Sequence, residues 1–339
     1  MRLHYLNSVT SFLTKQVMFK KLFIFVLALV AILLTFNNAK AQQDATYTQY
    51  MFQPLVYNPA YAGSRGNISG TAIYRSQWAD IEGAPTTVSV GVHGKMGQGN
   101  SAIGLWIEND QTGFSNKIRA YVNYAYHIPF NRGKLSLGIQ GGMLNFSDKR
   151  SKAIVQDPTD PTFGADVNNG TAPNFGAGIY YYSEDFFVGA SVPHLLNTTI
   201  NGNGSSLDNY TQARHFFATA GVVIPLGVNV KFRPTALLKF VESTTDVDVN
   251  AQVQAPLQLD ATAHFLFKDA LWVGAAVTTG TDDPLESIDF LIEYQFNQRF
   301  RLGYSYDYPL TDINAETHEF MLGYDVFRDQ SRVLTPRYF

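Results

Sequence analysis

From Glu286 to Phe327 the chain sorts its side chains by odd and even position. Over 299–308, Phe300, Leu302, Tyr304, Tyr306 and Tyr308 fall on one side of an extended backbone, and Arg299, Arg301, Gly303, Ser305 and Asp307 fall on the other. Residues 286–296 set Ile288, Phe290, Ile292, Tyr294 and Phe296 against Asp289, Glu293 and Gln295, and then turn at Asn297-Gln298. Residues 317–327 set Phe320, Leu322, Tyr324 and Val326 against Glu319, Gly323 and Asp325. Three successive strands of about ten residues, each with an apolar face, have the length and pattern of strands that cross a bilayer.

The same rhythm predicts fourteen strands, at 67–78, 86–95, 101–109, 117–128, 133–146, 174–182, 186–192, 213–224, 229–240, 255–267, 271–279, 286–296, 299–307 and 317–327. Pro193 and Pro234 weaken two of them, because proline cannot donate to a ladder. The connections alternate. Those at 96–100, 129–132, 183–185, 225–228, 268–270 and 297–298 are short; those at 79–85, 110–116, 147–173, 193–212, 241–254, 280–285 and 308–316 are longer. Short periplasmic turns and long outer loops belong to an outer-membrane barrel. The fold expected is all-β: a transmembrane antiparallel barrel of about 14 strands at 67–327, with a soluble sandwich or jelly roll as the alternative. Arg119, Asn123, Asp260, His264, Asp289, Glu293, Arg299, Arg301 and Asp307 then face the lumen, with Glu293 and Arg299 placed to pair across their turn. They read as filler that narrows the interior, or as the lining of a solute path.

The segment before the first strand breaks the rhythm. Tyr47–Arg65, with Pro54, Asn58-Pro59 and many aromatic rings, predicts a packed irregular stretch, so 42–66 is a plug or a periplasmic segment. Upstream, Lys20-Lys21, an apolar run from Leu22 to Phe36 and Ala39-Lys40-Ala41 have the layout of a signal peptide, preceded by an extension that leaves the start at Met1 or Met18. The mature chain is expected from Gln42, and a retained membrane anchor is the alternative. Residues 328–339 form a tail.

Composition sharpens the picture. The chain is 14% aromatic and 16% charged, with 27 glycines and no cysteine, which suits a barrel with aromatic girdles and excludes disulfides and thiolate metal sites. Five basic and no acidic side chains precede Gln42, so the mature chain carries 20 basic and 28 acidic groups, a formal charge of about −8. That balance argues against a nucleic-acid partner. His93, His127, His194, His215, His264 and His318 are scattered, and no GxSxG or HExxH occurs. Gly94–Gly99 follows a strand into a turn, so it is no phosphate cradle, and Asp157, Asp160 and Asp166 do not have the spacing of a calcium loop. No enzyme, cofactor or metal signature is present.

Several motifs are too long for periodicity to explain. QYM at Gln49–Met51, YNPAYAGS at Tyr57–Ser64, YRSQW at Tyr74–Trp78, GAPTT at Gly83–Thr87, GYSYDYPL at Gly303–Leu310 and PRYF at Pro336–Phe339 together resemble the PorP/SprF family of outer-membrane proteins of the type IX secretion and gliding machinery. Departures are local: Asp44–Tyr47 replaces the usual DP.FS opening, and Glu316–Glu319 stands where GSHE is common. The resemblance implies a non-enzymatic outer-membrane barrel that holds an exported surface protein by its C-terminal domain and meets periplasmic machinery subunits. On it, Asn58, Pro59, Tyr61, Gly63, Arg75, Trp78, Asp307, Tyr308, His318 and Glu319 are the partner-binding or motif candidates. Loops 147–173 and 193–212 would meet cargo. Asn58–Gly63 and the tail would meet periplasmic components, or Asn58–Gly63 would pack inside the barrel. The rival functions are a channel for small solutes or fatty acids and a structural protein with an adhesive loop surface.

Overall fold

In the computed structural model, residues 44–66, 68–149, 167–200, 210–242, 244–245, 252–253, 257–279, 285–310 and 315–326 are described. The expected leader, the C-terminal tail and Asp157, Asp160 and Asp166 lie outside them. Fourteen long strands form one antiparallel sheet: β1 (Ile68–Ser76), β2 (Thr86–Lys95), β3 (Ser101–Thr112), β4 (Ser115–Phe130), β5 (Gly133–Asp148), β6 (Val167–Tyr182), β7 (Phe186–Val192), β8 (His215–Val222), β9 (Val230–Val241), β10 (Gln258–Phe267), β11 (Leu271–Thr278), β12 (Ser287–Gln295), β13 (Phe300–Pro309) and β14 (Thr317–Val326). Each strand pairs with the next, and β14 returns to β1, with Ile68 opposite Val326 and Ser76 opposite His318. The sheet therefore closes on itself as a barrel. A short strand, Ile224–Pro225, lies outside the ring against β9.

Burial is inverted relative to a soluble protein. On β12 and β13 the charged Asp289, Glu293 and Arg301 are each 2% exposed, whereas Phe290 is 56% and Ile292 47% exposed. Apolar side chains facing outward and polar ones facing inward are what a hydrocarbon surround requires. Outward rings gather toward the two ends. Phe130–Tyr181, Tyr294–Phe296 and Phe300–Tyr324 form one belt, and Tyr304, Tyr306 and His318 lie in the other.

The end bearing connections 77–85, 149–166, 193–214, 242–257, 279–286 and 310–316 is the outer end by loop length; the turns 96–100, 131–132, 183–185, 223–229, 268–270 and 296–299 mark the inner end. One expected long connection is short. β3 and β4 run on until only Gly113-Phe114 separate them, because Gly113 takes φ +58° and permits a two-residue hairpin turn. β6 begins at Val167 rather than 174, so the loop before it contracts to 149–166. Its outer half pairs with β5 alone, since β7 meets it only from Ala177 to Tyr182, and this tolerates Pro173. Pro234 likewise lies just past the run in which β8 pairs with β9.

Candidate functional site

The lumen is occupied by the chain itself. Residues 44–66 run down the interior through three short 3₁₀ turns, Tyr50–Phe52, Pro54–Val56 and Pro59–Tyr61. Proline opens the second and third, where its fixed φ suits the first position of a helix. Asn58 caps the third by accepting a hydrogen bond from the Ala60 N–H at 2.9 Å. Tyr47, Tyr50, Leu55, Ala60 and Tyr61 are all buried in one apolar cluster with wall residues such as Trp106, Tyr121 and Tyr180.

Near the outer end, strands from opposite ends of the sequence grip Thr48 and Gln49. Glu319 accepts from the Thr48 N–H at 3.1 Å and the Gln49 N–H at 2.9 Å. Arg75 pairs with Asp307 at 2.9 Å and Glu319 at 3.2 Å, and donates to Thr48 Oγ1 at 2.6 Å. Thr48 Oγ1 in turn donates to Asp307 Oδ2 at 2.7 Å. Charge-assisted bonds shielded from water are the strong kind, and here every charge has an opposite partner.

A second charged group sits beside this clasp. Arg119 pairs with Asp44 and, at 2.5 Å, with Glu108, which also accepts from the Tyr47 hydroxyl at 2.5 Å. His194 Nε2 and His215 Nδ1 approach Asp44 at 3.4 and 3.5 Å. Burial opposes the Asp44 charge, but Arg119, then His215 and His194, hold its carboxyl well below the usual carboxylate range.

Lower down, Arg233 lies between Phe52 and Trp272, its guanidinium carbon 5.0 and 4.1 Å from the two ring centres. Asn58 Nδ2 donates to the Ile179 carbonyl at 3.0 Å, and Ser191 Oγ donates to the Tyr57 carbonyl at 2.7 Å. At the inner end the Gly63 N–H donates to His93 Nδ1 at 2.9 Å, and Arg65 pairs with Asp325 at 3.2 Å. The wall makes room with glycine. A Cβ added at Gly138 would lie 2.2 Å from Ala60 N, one at Gly178 2.1 Å from Asn58 Oδ1, and one at Gly303 2.3 Å from Gln49 Oε1.

The residues singled out in the sequence therefore separate into groups. Asn58, Pro59, Tyr61 and Gly63 are buried in the plug, and Arg75, Asp307 and Glu319 converge on one clasp. Trp78 lies in the outer connection, with φ +50° and its N–H donating to Thr317 Oγ1 at 3.1 Å. Tyr308 faces outward, and His318 belongs to the outer belt, where Tyr304 Oη and His318 Nδ1 are 2.9 Å apart. The expected Glu293–Arg299 pair does not form. The β12–β13 ladder ends at Gln295–Arg301, which leaves Arg299 exposed in the turn, and it is Arg301 that faces inward. Thr48, Glu108 and Arg65 did not stand out, and Asp325 was read only as one of a polar face, since only the folded plug brings them into use. Among the described residues no group of three or more histidines or carboxylates is arranged to hold a metal ion.

Comparison with known proteins agrees with this architecture. The profile of the family described as "Type IX secretion system membrane protein PorP/SprF" matches residues 39–324. No curated protein matches the sequence. Among solved structures, the CymD monoaromatic hydrocarbon channel aligns at 11% identity and TM-score 0.50, over 83% of this chain and 94% of that one. The Ralstonia pickettii toluene transporter TbuX aligns at 12% identity and TM-score 0.44, over 80% and 92%. Acinetobacter baumannii Omp33 aligns at 10% identity and TM-score 0.43, over 78% and 100%. At 11% identity the likeness to the CymD channel concerns fold alone.

Proposed function

Because the chain belongs to the PorP/SprF family of type IX secretion system membrane proteins, we propose that it is a non-enzymatic outer-membrane anchor. In this reading it is exported by a signal peptide cleaved after Ala41. It holds an exported protein at the cell surface, through that protein's C-terminal domain, and meets periplasmic subunits of the secretion and gliding machinery with its inner turns and C-terminal tail. The observation that carries this reading is the plug. A lumen filled by residues 44–66 and fastened by buried charge clusters suits a rigid attachment better than a conduit. The rival, a channel for small solutes or fatty acids, needs a path past the plug.

Cargo contact falls to the long outer connections. Part of 193–212 has a structural duty, since Thr198–Ile200 pairs with Tyr210–Gln212, Ile200 packs against Leu144, Phe146 and Ala172, and Gln140 donates to the Pro193 carbonyl. The test therefore replaces only 201–209 with a Gly-Ser linker. Cargo should move from the cell surface to the medium while the barrel stays in the outer membrane with unchanged heat-modifiable migration. Cargo that remains bound in both this variant and one with 150–166 replaced rules out the outer-loop contact.

A further inference from the structure

The plug has a direction. Its first described residue, Asp44, is held by Arg119 in the outer third of β4, by His215 at the start of β8 and by His194 in the outer connection after β7. Thr48 and Gln49 are held by Arg75, Asp307 and Glu319, each within two residues of the outer end of its strand. Tyr50 then reaches Thr235 at mid-height, and Ala62 O lies 2.9 Å from His127 Nε2, toward the inner end. Gly63 follows at His93, and Arg65 ends at Asp325, one residue from the inner end of β14. The contacts at the start of the plug thus lie toward the outer end of the barrel and those at its close toward the inner end.

From this we infer that the chain enters its own lumen at the cell-surface mouth and leaves it at the periplasmic mouth to begin β1. The start of the plug, Asp44–Thr46, thus lies at the surface mouth, beside the outer loops. This holds whichever molecule the barrel binds.

The absence of cysteine makes the test direct. Single cysteines are introduced as Ala45→Cys, which is half-buried at the outer mouth, Glu82→Cys in an exposed outer connection and Gln98→Cys in an exposed inner turn. Cells are treated with a membrane-impermeant 5 kDa polyethylene-glycol maleimide before or after permeabilisation, and the shifted band is read on a gel. Ala45→Cys and Glu82→Cys should shift in intact cells, and Gln98→Cys only after permeabilisation. Ala45→Cys shifting together with Gln98→Cys overturns the inference, as does Gln98→Cys shifting in intact cells while Glu82→Cys does not. If Ala45→Cys reacts in neither state, an epitope placed between Gln43 and Asp44 takes its place. Antibody binding to intact cells is expected, and binding only after permeabilisation overturns it.

Discussion

Arg75 and Glu319 lie opposite each other across the seam where the last strand meets the first, and their 3.2 Å ion pair is also the grip on the plug at Thr48. Closing the barrel and holding its contents are one interaction, made between residues 244 positions apart.

Breaking that pair should therefore loosen seam and plug together. Arg75→Ala leaves Asp307 and Glu319 without their cation, and removing one partner of a buried pair costs about 3–5 kcal/mol. The folded band that survives unheated in SDS should convert at a distinctly lower temperature than wild type. The Thr48 and Gln49 N–H groups bond different oxygens of Glu319, so Glu319→Gln keeps an acceptor for only one of them, but it leaves Arg75 paired with Asp307, and its conversion temperature should fall less. Equal migration of all three would show that the clasp does not hold the barrel.

The fit of plug to wall leaves no room at Gly138. Gly138→Ala drives a methyl into the Ala60 backbone, and overpacking of this kind costs about 1–3 kcal/mol. Gly227, in an inner turn, has open space around it, and Gly227→Ala should match wild type in the same heating series. A stable Gly138→Ala variant would mean that the plug shifts freely.

Emptying the lumen should open it. Barrels of eight strands are filled by their own side chains and those of sixteen to eighteen leave an aqueous channel, so fourteen strands without a plug should pass ions. In planar bilayers the full chain is expected to be silent and a variant lacking residues 47–62 to conduct. Equal conductance from both would return weight to the channel reading.

The outward face should tolerate charge by depth. Ile139 is 61% exposed near the middle of β5, where an arginine facing lipid costs about 2–4 kcal/mol. Tyr308 faces outward near the outer end of β13, where the same change costs about 0–1 kcal/mol. Urea titration of folding into lipid vesicles should separate Ile139→Arg from Tyr308→Arg by that margin.

The barrel was legible because a bilayer imposes one rule on every strand, and parity along 286–327 reports it without reference to any distant residue. Strand ends were less so. β3 and β4 extend because a single glycine at positive φ makes their turn, while β6 extends as a one-sided strand where alternation is diluted by Asn, Gly, Thr and Pro. The density of Pro and aromatic residues at 47–65 marked something packed, and the GYSYDYPL and YRSQW motifs contributed Asp307 and Arg75 to the clasp. Their convergence was not legible, because it depends on the strand count that returns β14 to β1. The pairing expected for Arg299 failed for the opposite reason: a shift of two residues in a turn moves a charge from lumen to water.

The glycines at 138, 178 and 303 also bear on how such a sequence changes over time. Each gives up its side chain to a particular atom of Ala60, Asn58 or Gln49, so the bulk at a plug position and the bulk at its wall position form a single quantity held in two places. Drift at one site has to be compensated at the other, across a separation of 254 positions in the case of Gln49 and Gly303. Plug and wall are, in that sense, inherited as one part, and an N-terminal segment exchanged between two such barrels should carry its own set of glycines with it.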